Sequence, residues 1–593
     1  MRIIQLKAIF HRLVQSIRED GIQLTYLRIG RKLHSKFGSK AFKKAWKLKK
    51  KDRKQQESQS FDGKIRVSIL VPVYNTPLGF LKEMLDSVQA QTCKQYELCI
   101  ADGSDEDHAE AGKIIEQRAQ GDSRIRYIKL PQNKGISENT NACIRISSGS
   151  HFALLDHDDL LHPSALYHVL KTIENTGADL IYTDEATFRK HPKDAYLPHF
   201  KQDFSPDTLR AHNYICHLTV FSRELMEKAG GFRPAYDGSQ DYDMVLRLTE
   251  KAQKIVHIPR ILYYWRNHQA SVAWDVKAKP YVISAAKAAL EAHLQRQGLQ
   301  GTVMDTVIPS IYRISYQVKE DTVSIIIPTS DHVEQLQKCI DSILGKTCYK
   351  SYEIIIAENN SKERRTFAYY EALKSDCRIR ILTWEKPFNY SAINNFAAAY
   401  ANGKYLIFLN NDTEIISPDW ITEMLMFAQR PDVGAVGAKL YYPDGRVQHA
   451  GIGIGLLTLA GHFHREFPHN AAGYMGRLQY QQNVSAVTGA CLMMRSQTYR
   501  DLCGMEENLP VNFNDVDLCL RIRERGLLIV FTPFAELIHY ESLSRNRDET
   551  PEQRKRYLQE EAFFRGRWAK QLAEGDPYLN PNFDLLREDF SFR

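Results

Sequence analysis

Short β-branched apolar runs alternate along this chain with stretches whose apolar residues recur at helical spacing. VSILVPV (67–73) and ELCIAD (97–102) read as strands, and LGFLKEMLDSVQAQ (78–91) between them reads as an amphipathic helix. The pattern returns in VSIIIP (323–328) and EIIIAE (353–358). Strands alternating with helices predict an α/β fold with a doubly wound, parallel sheet buried on both faces. Ligands of such sheets bind at the carboxyl ends of the strands. Asp102, Asp156, Asp158 and Asp412 all stand at or just after the ends of apolar runs, so acidic groups are expected to converge on one crevice per sheet.

The chain also repeats itself. KIRVSILVPVYN (64–75) recurs as DTVSIIIPTSD (321–331), about 256 residues on, and YELCIADGS (96–104) as YEIIIAENNS (352–361). RIRYIKLPQNKGISENTN (124–141) parallels RIRILTWEKPFNYSAINN (378–395). HFALLDHDDLLHP (151–163) parallels KYLIFLNNDTEIISP (404–418), and GSQDYDMVLRL (238–248) answers FNDVDLCLRIR (513–523). Five blocks in one order indicate two homologous domains in tandem. The expected plan is an N-terminal arm (1–60), domain one with a connecting helix (61–300), domain two (301–545) and a helical extension with a tail (546–593). Within the connection, YVISAAKAALEAHLQRQG reads as a helix closed by Gly298, and the residues after it as extended chain.

Composition narrows the class. With 43% hydrophobic and 25% charged residues the chain is globular in type, and its 593 residues exceed one ordinary core. No run approaches the ~20 apolar residues of a membrane-spanning helix, and the N-terminus lacks the uncharged core of a secretory signal. The ten cysteines form no C-x-x-C pair and no zinc-like cluster. They read as small buried hydrophobes in a reducing, cytoplasmic setting. Charge is lopsided: residues 1–54 hold 17 Lys or Arg against 3 Asp or Glu, so the remainder is net negative although the whole chain is +8. Ile3, Leu6, Phe10, Leu13, Val14 and Ile17 recur at helical spacing among these basic residues. That pattern suits the anionic surface of a membrane, with a solvated tail as the alternative; nucleic acid is disfavoured by the acidic body and its lack of nucleic-acid motifs.

The strand-end acids suggest chemistry. Asp156 and Asp158, two apart on an extended segment, would face one side and could hold a divalent cation that bridges phosphates; a turn or helix N-cap explains the same spacing equally well. Asp241 and Asp515 sit at helix starts, either as capping acids or, if they face the crevice, as general bases for an alcohol. His268 and His539 follow the last strand-like run of each copy, each with a Ser three residues later, and are candidate third ligands. Walker A and dinucleotide-binding glycine signatures are absent.

Together these motifs resemble family 2 inverting nucleotide-sugar glycosyltransferases of the type-A fold. VSILVPVYN, ADGS, KGISENTN, LLDHDDLL, AGGFRPAYDGSQDYD and YYWRNHQAS carry the resemblance in copy one; VSIIIPTSD, AENNS, FNYSAINN, LNNDTEI, VTGACLMMR, NDVDLCLR and HYESLSR carry it in copy two. Copy two, with the terminal DPYLNPNF, is similar to bacterial rhamnosyltransferase-like domains of O-antigen and cell-wall polysaccharide assembly. The resemblance implies that Pro72, Val73 and Tyr74 line a nucleotide pocket, that Asp102 meets the base and Asp156 the ribose or phosphate. It makes Asp158 and His268 ligands of Mg²⁺ or Mn²⁺, and Asp241 the catalytic base. In copy two it implies substrate-binding roles for Pro328, Thr329, Glu358 and Asn410, metal binding by Asp412 and His539, and a base at Asp515. Glu358 and Asn410 depart from the aspartates of copy one. The implied partners are dTDP-, UDP- or GDP-linked hexose or deoxyhexose donors and a polyprenyl-diphosphate-linked glycan acceptor. The implied setting is the inner face of the cytoplasmic membrane, touched through the basic arm. Both copies could transfer sugars, or one could serve as a non-catalytic glycan- or nucleotide-binding module.

Overall fold

A computed structural model of the chain describes residues 46–268, 280–540 and 550–593. The amphipathic run from Ile3 to Ile17 therefore lies outside the described residues. Trp46, at the end of the arm, rests its ring 4.8 Å from that of Tyr264.

The first copy is built on β1 (Val67–Val73), β2 (Tyr96–Asp102), β3 (Ile125–Lys129), β4 (His151–Leu154), β5 (Leu160–Leu161), β6 (Leu180–Phe188), β7 (Tyr196–His199), β8 (Thr219–Ser222) and β9 (Ile255–Arg266). Their order is β3-β2-β1-β4-β8-β6-β9-β5, with β7 beside β6. The connecting helix Pro280–Arg296 ends before Gly298, whose φ of +65° suits glycine. The extended stretch beyond it is a hairpin of β10 (Gly301–Asp305) and β11 (Tyr312–Tyr316). The second copy follows as β12 (Val323–Thr329), β13 (Tyr352–Glu358), β14 (Ile379–Thr383), β15 (Tyr405–Leu409), β16 (Thr413–Ile415), β17 (Val433–Tyr441), β18 (Val447–His449), β19 (Ile452–Ile454), β20 (Ala460–His462), β21 (Gln482–Asn483), β22 (Cys491–Arg495) and β23 (Leu528–His539). Its main sheet runs β14-β13-β12-β15-β22-β17-β23-β16, the order of the first copy position for position.

The sheets are mixed, not purely parallel. β1 to β4 pair in parallel, but β8 runs antiparallel between β4 and β6, and β5 is an antiparallel edge strand. The order reverses between β1 and β4, and between β12 and β15, which opens a crevice at their carboxyl ends. Val67, Ile69, Leu70 and Val71, like Ile325, Ile326 and Ile327, are fully buried, each contributing roughly 1.5–3 kcal/mol.

The duplication reaches single atoms. Buried Glu97 accepts from Ser68 Oγ at 2.6 Å and from Gly149 N at 2.9 Å; Glu353 accepts from Ser324 Oγ at 2.6 Å, beside Gly403. A Cβ on Gly149 or Gly403 would lie 2.5 or 2.6 Å from the serine hydroxyl, so both sites demand glycine.

The copies share one hydrophobic core, in which Leu209, Tyr242 and Leu290 join Val323, Ile340 and Phe427. At its edge Arg430 of copy two meets Asp207 of copy one at 2.5 Å, and Asn483 Nδ2 donates to the same carboxylate at 2.8 Å. After copy two, the helix Pro551–Arg567 is opened by a Thr550–Gln553 capping box, and buried Trp568 donates from Nε1 to Asp517 at 3.0 Å. The tail then returns to copy one, where Asn580 donates to Asp184 at 3.0 Å. Among the described residues no helix is long and apolar enough to cross a membrane. The expectation of buried cysteines holds for Cys93, Cys99, Cys143, Cys339, Cys491 and Cys519; Cys348, Cys377 and Cys503 are exposed and Cys216 is half-buried.

Candidate active sites at the strand ends

In copy one β1 delivers Pro72, Val73 and Tyr74 to the crevice: Val73 is buried, Pro72 half-buried and Tyr74 exposed. Asn75 follows at φ +48°, a left-handed conformation asparagine tolerates, and its N–H donates to Ser104 Oγ at 2.9 Å. Asp102, at the end of β2, is fully buried. Its oxygens accept from Ser104 N (2.8 Å), Tyr127 Oη (3.1 Å) and Lys129 Nζ (3.2 Å), so it anchors the strand ends.

The two acids of LLDHDD are not on one side of an extended strand. β4 ends at Leu154, and Asp159 N bonds back to Asp156 O at 3.2 Å, so residues 156–159 form a turn. The turn sends three carboxylates to three tasks. Asp158 Oδ2 lies 2.7 Å from His268 Nε2, its sole ion-pair partner among the described residues. Asp156 faces His217, 4.0 Å away. Asp159 is buried under the site and accepts from Tyr263 Oη and from Arg266 N, both at 2.6 Å. Burial and its two acidic neighbours push the Asp159 carboxyl well above the usual range.

Asp241 stands in the first turn of the helix Gln240–Lys251, where the dipole favours a negative charge. Asn213 Nδ2 donates to its Oδ2 at 3.0 Å. Burial raises its carboxyl above the ordinary value, with His217 pulling the other way and Asp156 adding to the rise. Asp243, two residues on, is fully buried between Arg233 and Arg247 and serves the fold. His217, Asn213 and Tyr263 carry no spacing signal in the sequence. His217 stacks on Tyr263 with centroids 4.6 Å apart, and with Asp156 and Asp159 it forms a cluster of potential cation ligands.

In copy two Pro328 and Thr329 end β12 and are buried; Glu358 ends β13 and accepts from Ser361 N at 2.6 Å. Asn411 Nδ2 donates to Thr329 Oγ1 at 2.9 Å. Asp412 Oδ1 lies 3.1 Å from His539 Nε2, and Asn410 Nδ2 lies 3.1 Å from the same nitrogen. Asp515, in the first turn of Asn514–Glu524, accepts from Gly489 N at 2.8 Å through Oδ2, and from Val516 N at 2.8 Å through Oδ1. Burial raises its carboxyl too, against those hydrogen bonds. Asp517 is fully buried on Arg521 and Trp568, the counterpart of Asp243. Tyr390, unflagged by the sequence, bonds Asn410 Oδ1 at 3.2 Å and Gly489 O at 3.1 Å.

The two histidines do not occupy the same point of the repeat. Leu160 pairs with Tyr264 in copy one, and its counterpart Glu414 pairs with Ile538 in copy two. His539 is therefore the counterpart of Trp265, and His268 comes three residues later. Both still reach the homologous aspartate, from different places on the chain.

The Glycosyl transferase family 2 model matches residues 68–230 and 324–503, one stretch in each copy. The uncharacterized protein y4gI of Sinorhizobium fredii is 44% identical over 88% of this chain and 58% of its own length. The O-antigen biosynthesis protein RfbC of Myxococcus xanthus is 37% identical over 89% of this chain and 41% of its own. The chain thus spans about half the length of these relatives. A crystal structure of GalNAc-T7 with UDP, GalNAc and Mn²⁺ aligns over 46% of this chain and 52% of its own at 14% identity, with a TM-score of 0.36.

Proposed function

The chain belongs to glycosyltransferase family 2, and on that premise we propose that it is a bifunctional inverting enzyme that adds sugars from nucleotide-linked donors to a bacterial surface polysaccharide. One observation carries this reading: each copy has a raised-pKa carboxylate at a helix start (Asp241, Asp515) and an Asp–His pair (Asp158–His268, Asp412–His539) at the strand ends. The carboxylate takes the proton of the acceptor hydroxyl as that oxygen attacks the anomeric carbon. Its raised pKa makes it a stronger base than an ordinary aspartate. No second carboxylate is assigned as a nucleophile, and a single displacement inverts the anomeric centre.

The Asp–His pairs combine a hard oxygen donor with an imidazole nitrogen, a set that fits Mg²⁺ or Mn²⁺. When bound there, such a cation supplies charge stabilisation for the departing diphosphate. Pro72, Val73, Tyr74 and Asp102 bind and orient the nucleotide in copy one, with Pro328, Thr329 and Glu358 in the same places in copy two; Asp156 and Asn410 face the ribose or phosphate side. A relative named for O-antigen biosynthesis supports a polysaccharide product. Rhamnosyl transfer, a polyprenyl-diphosphate-linked acceptor and attachment of the basic arm to the inner membrane face are further parts of the proposal.

A donor screen with and without divalent cation, reading nucleoside diphosphate release on lipid-linked acceptor, tests it. Transfer by wild type and none by the Asp241→Asn, Asp515→Asn double variant is expected; equal turnover by both rejects the base assignment. Removing residues 1–54 should release the protein from anionic vesicles, and retained binding would reject the membrane role of the arm.

A further inference from the structure

Copy two holds its cation-site histidine with a side chain that copy one lacks. β18 pairs with β17 as Leu440↔His449 and Tyr441↔Val447, so Gln448 is the extra residue of a bulge. Bulges re-aim side chains, and this one turns Gln448 onto His539. Gln448 is 4% exposed and His539 7%.

The hydrogen bonds have a direction. Gln448 Nε2 donates to the His539 carbonyl oxygen at 3.4 Å, which leaves Gln448 Oε1 facing His539 Nδ1 at 2.7 Å. An amide oxygen only accepts, so Nδ1 carries a proton, and in the neutral ring Nε2 is then the lone-pair nitrogen. On the other side of the ring Asn410 Nδ2 lies 3.1 Å from Nε2, where a cation would take its place. Asp412 Oδ1 also lies 3.1 Å from Nε2, so a cation that takes this nitrogen would be held between it and the carboxylate.

We propose that Gln448 is a positioning residue that locks His539 as the Nδ1–H tautomer, so that Nε2 is turned toward Asp412 and the two can together take a cation in copy two. The proposal rests on the reading of Asp412 and His539 as cation ligands. Copy one bulges one pair further along, with Pro198 opposite Ala186, and has no amide at this place.

The test uses full-length protein carrying Asp158→Asn, so that copy two alone is read. Long-range ¹H–¹⁵N spectra of the metal-free protein should show His539 protonated at Nδ1; protonation at Nε2 overturns the proposal without any further substitution. Mn²⁺ affinity, followed by electron paramagnetic resonance, should fall roughly 10–100-fold in Gln448→Met, the usual loss for an outer-shell partner, and be kept within a few-fold in Gln448→Glu, which retains the acceptor oxygen. Affinity within twofold of the parent in Gln448→Met, with His539→Ala weakened, overturns the positioning role and leaves the ligand reading standing. Unchanged affinity in His539→Ala removes the ligand reading and the proposal together.

Discussion

The two copies surround their helix-start carboxylates differently. Asp515 takes N–H groups of Gly489 and Val516 on its two oxygens, with the Thr488 hydroxyl beside them. Asp241 likewise takes the N–H of the following residue, Tyr242, but adds the Asn213 amide at 3.0 Å and, more distantly, His217 and Asp156. Strand register makes the difference concrete. His151 pairs with Ser222 and its counterpart Tyr405 with Arg495, so five residues upstream His217 of copy one stands where copy two has Ala490. Ionisable neighbours such as His217 and Asp156 let the Asp241 base be retuned by single substitutions. Duplication kept the scaffold and let the electrostatics diverge: Asp156, Asp159 and His217 of copy one face Asn410, Thr413 and Ala490 in copy two.

The sharpest way to break this comparison is to remove one base at a time. Asp241→Asn and Asp515→Asn should each lower one transfer step about 10²–10⁴-fold. Product analysis should find a different accumulating intermediate for each variant. If one substitution leaves every product unchanged, that copy is a binding module and the equivalence of the sites ends there.

The joint between the copies comes next. Burial alone would raise the Asp207 carboxyl, but Arg430 and Arg210 hold it below its ordinary value. Arg430→Met leaves that buried charge to Arg210 and Asn483 alone, and a loss of about 1–3 kcal/mol is expected, read as a lowered denaturant midpoint. Because the folded pKa is depressed, the stability from this pair is present above the unfolded carboxylate pKa of about 4 and is lost as pH falls through the folded value. A midpoint unchanged at neutral pH would show that the copies do not depend on this contact.

Gly149→Ala and Gly403→Ala test the shared scaffold itself. Each places a Cβ against a serine hydroxyl and backbone, and each should cost roughly 1–3 kcal/mol. Markedly unequal losses in melting temperature would reveal a difference the sheet order hides.

The smallest effect concerns pH. A base works unprotonated, so copy-one transfer should fall as pH drops through the raised pKa of Asp241. His217 opposes that rise. His217→Ala should therefore move the acid limb of kcat/KM to higher pH for copy one and leave copy two's limb in place. A shift in both, or in neither, would detach His217 from Asp241.

Much of this was legible from residues alone. The short apolar runs and helical-period stretches, repeated in order, gave the two α/β domains, because local apolar spacing reflects which faces are buried. The acids at strand ends were legible for the same reason, since a strand's end is marked by its own sequence. Partner choice was not. Asp156 and Asp158 meet different histidines in a turn that follows Leu154, and alternation along a strand could not anticipate that. His217 reaches the copy-one site only because β8 lies antiparallel between β4 and β6, and Gln448 meets His539 only through a bulge beside β17. His268 and His539 looked equivalent by their spacing to a serine, yet the strand register sets them three residues apart in the repeat. Sequence spacing records neighbours along the chain; which side chains share a site is decided by strand order and register, and these are set by packing across segments far apart in sequence.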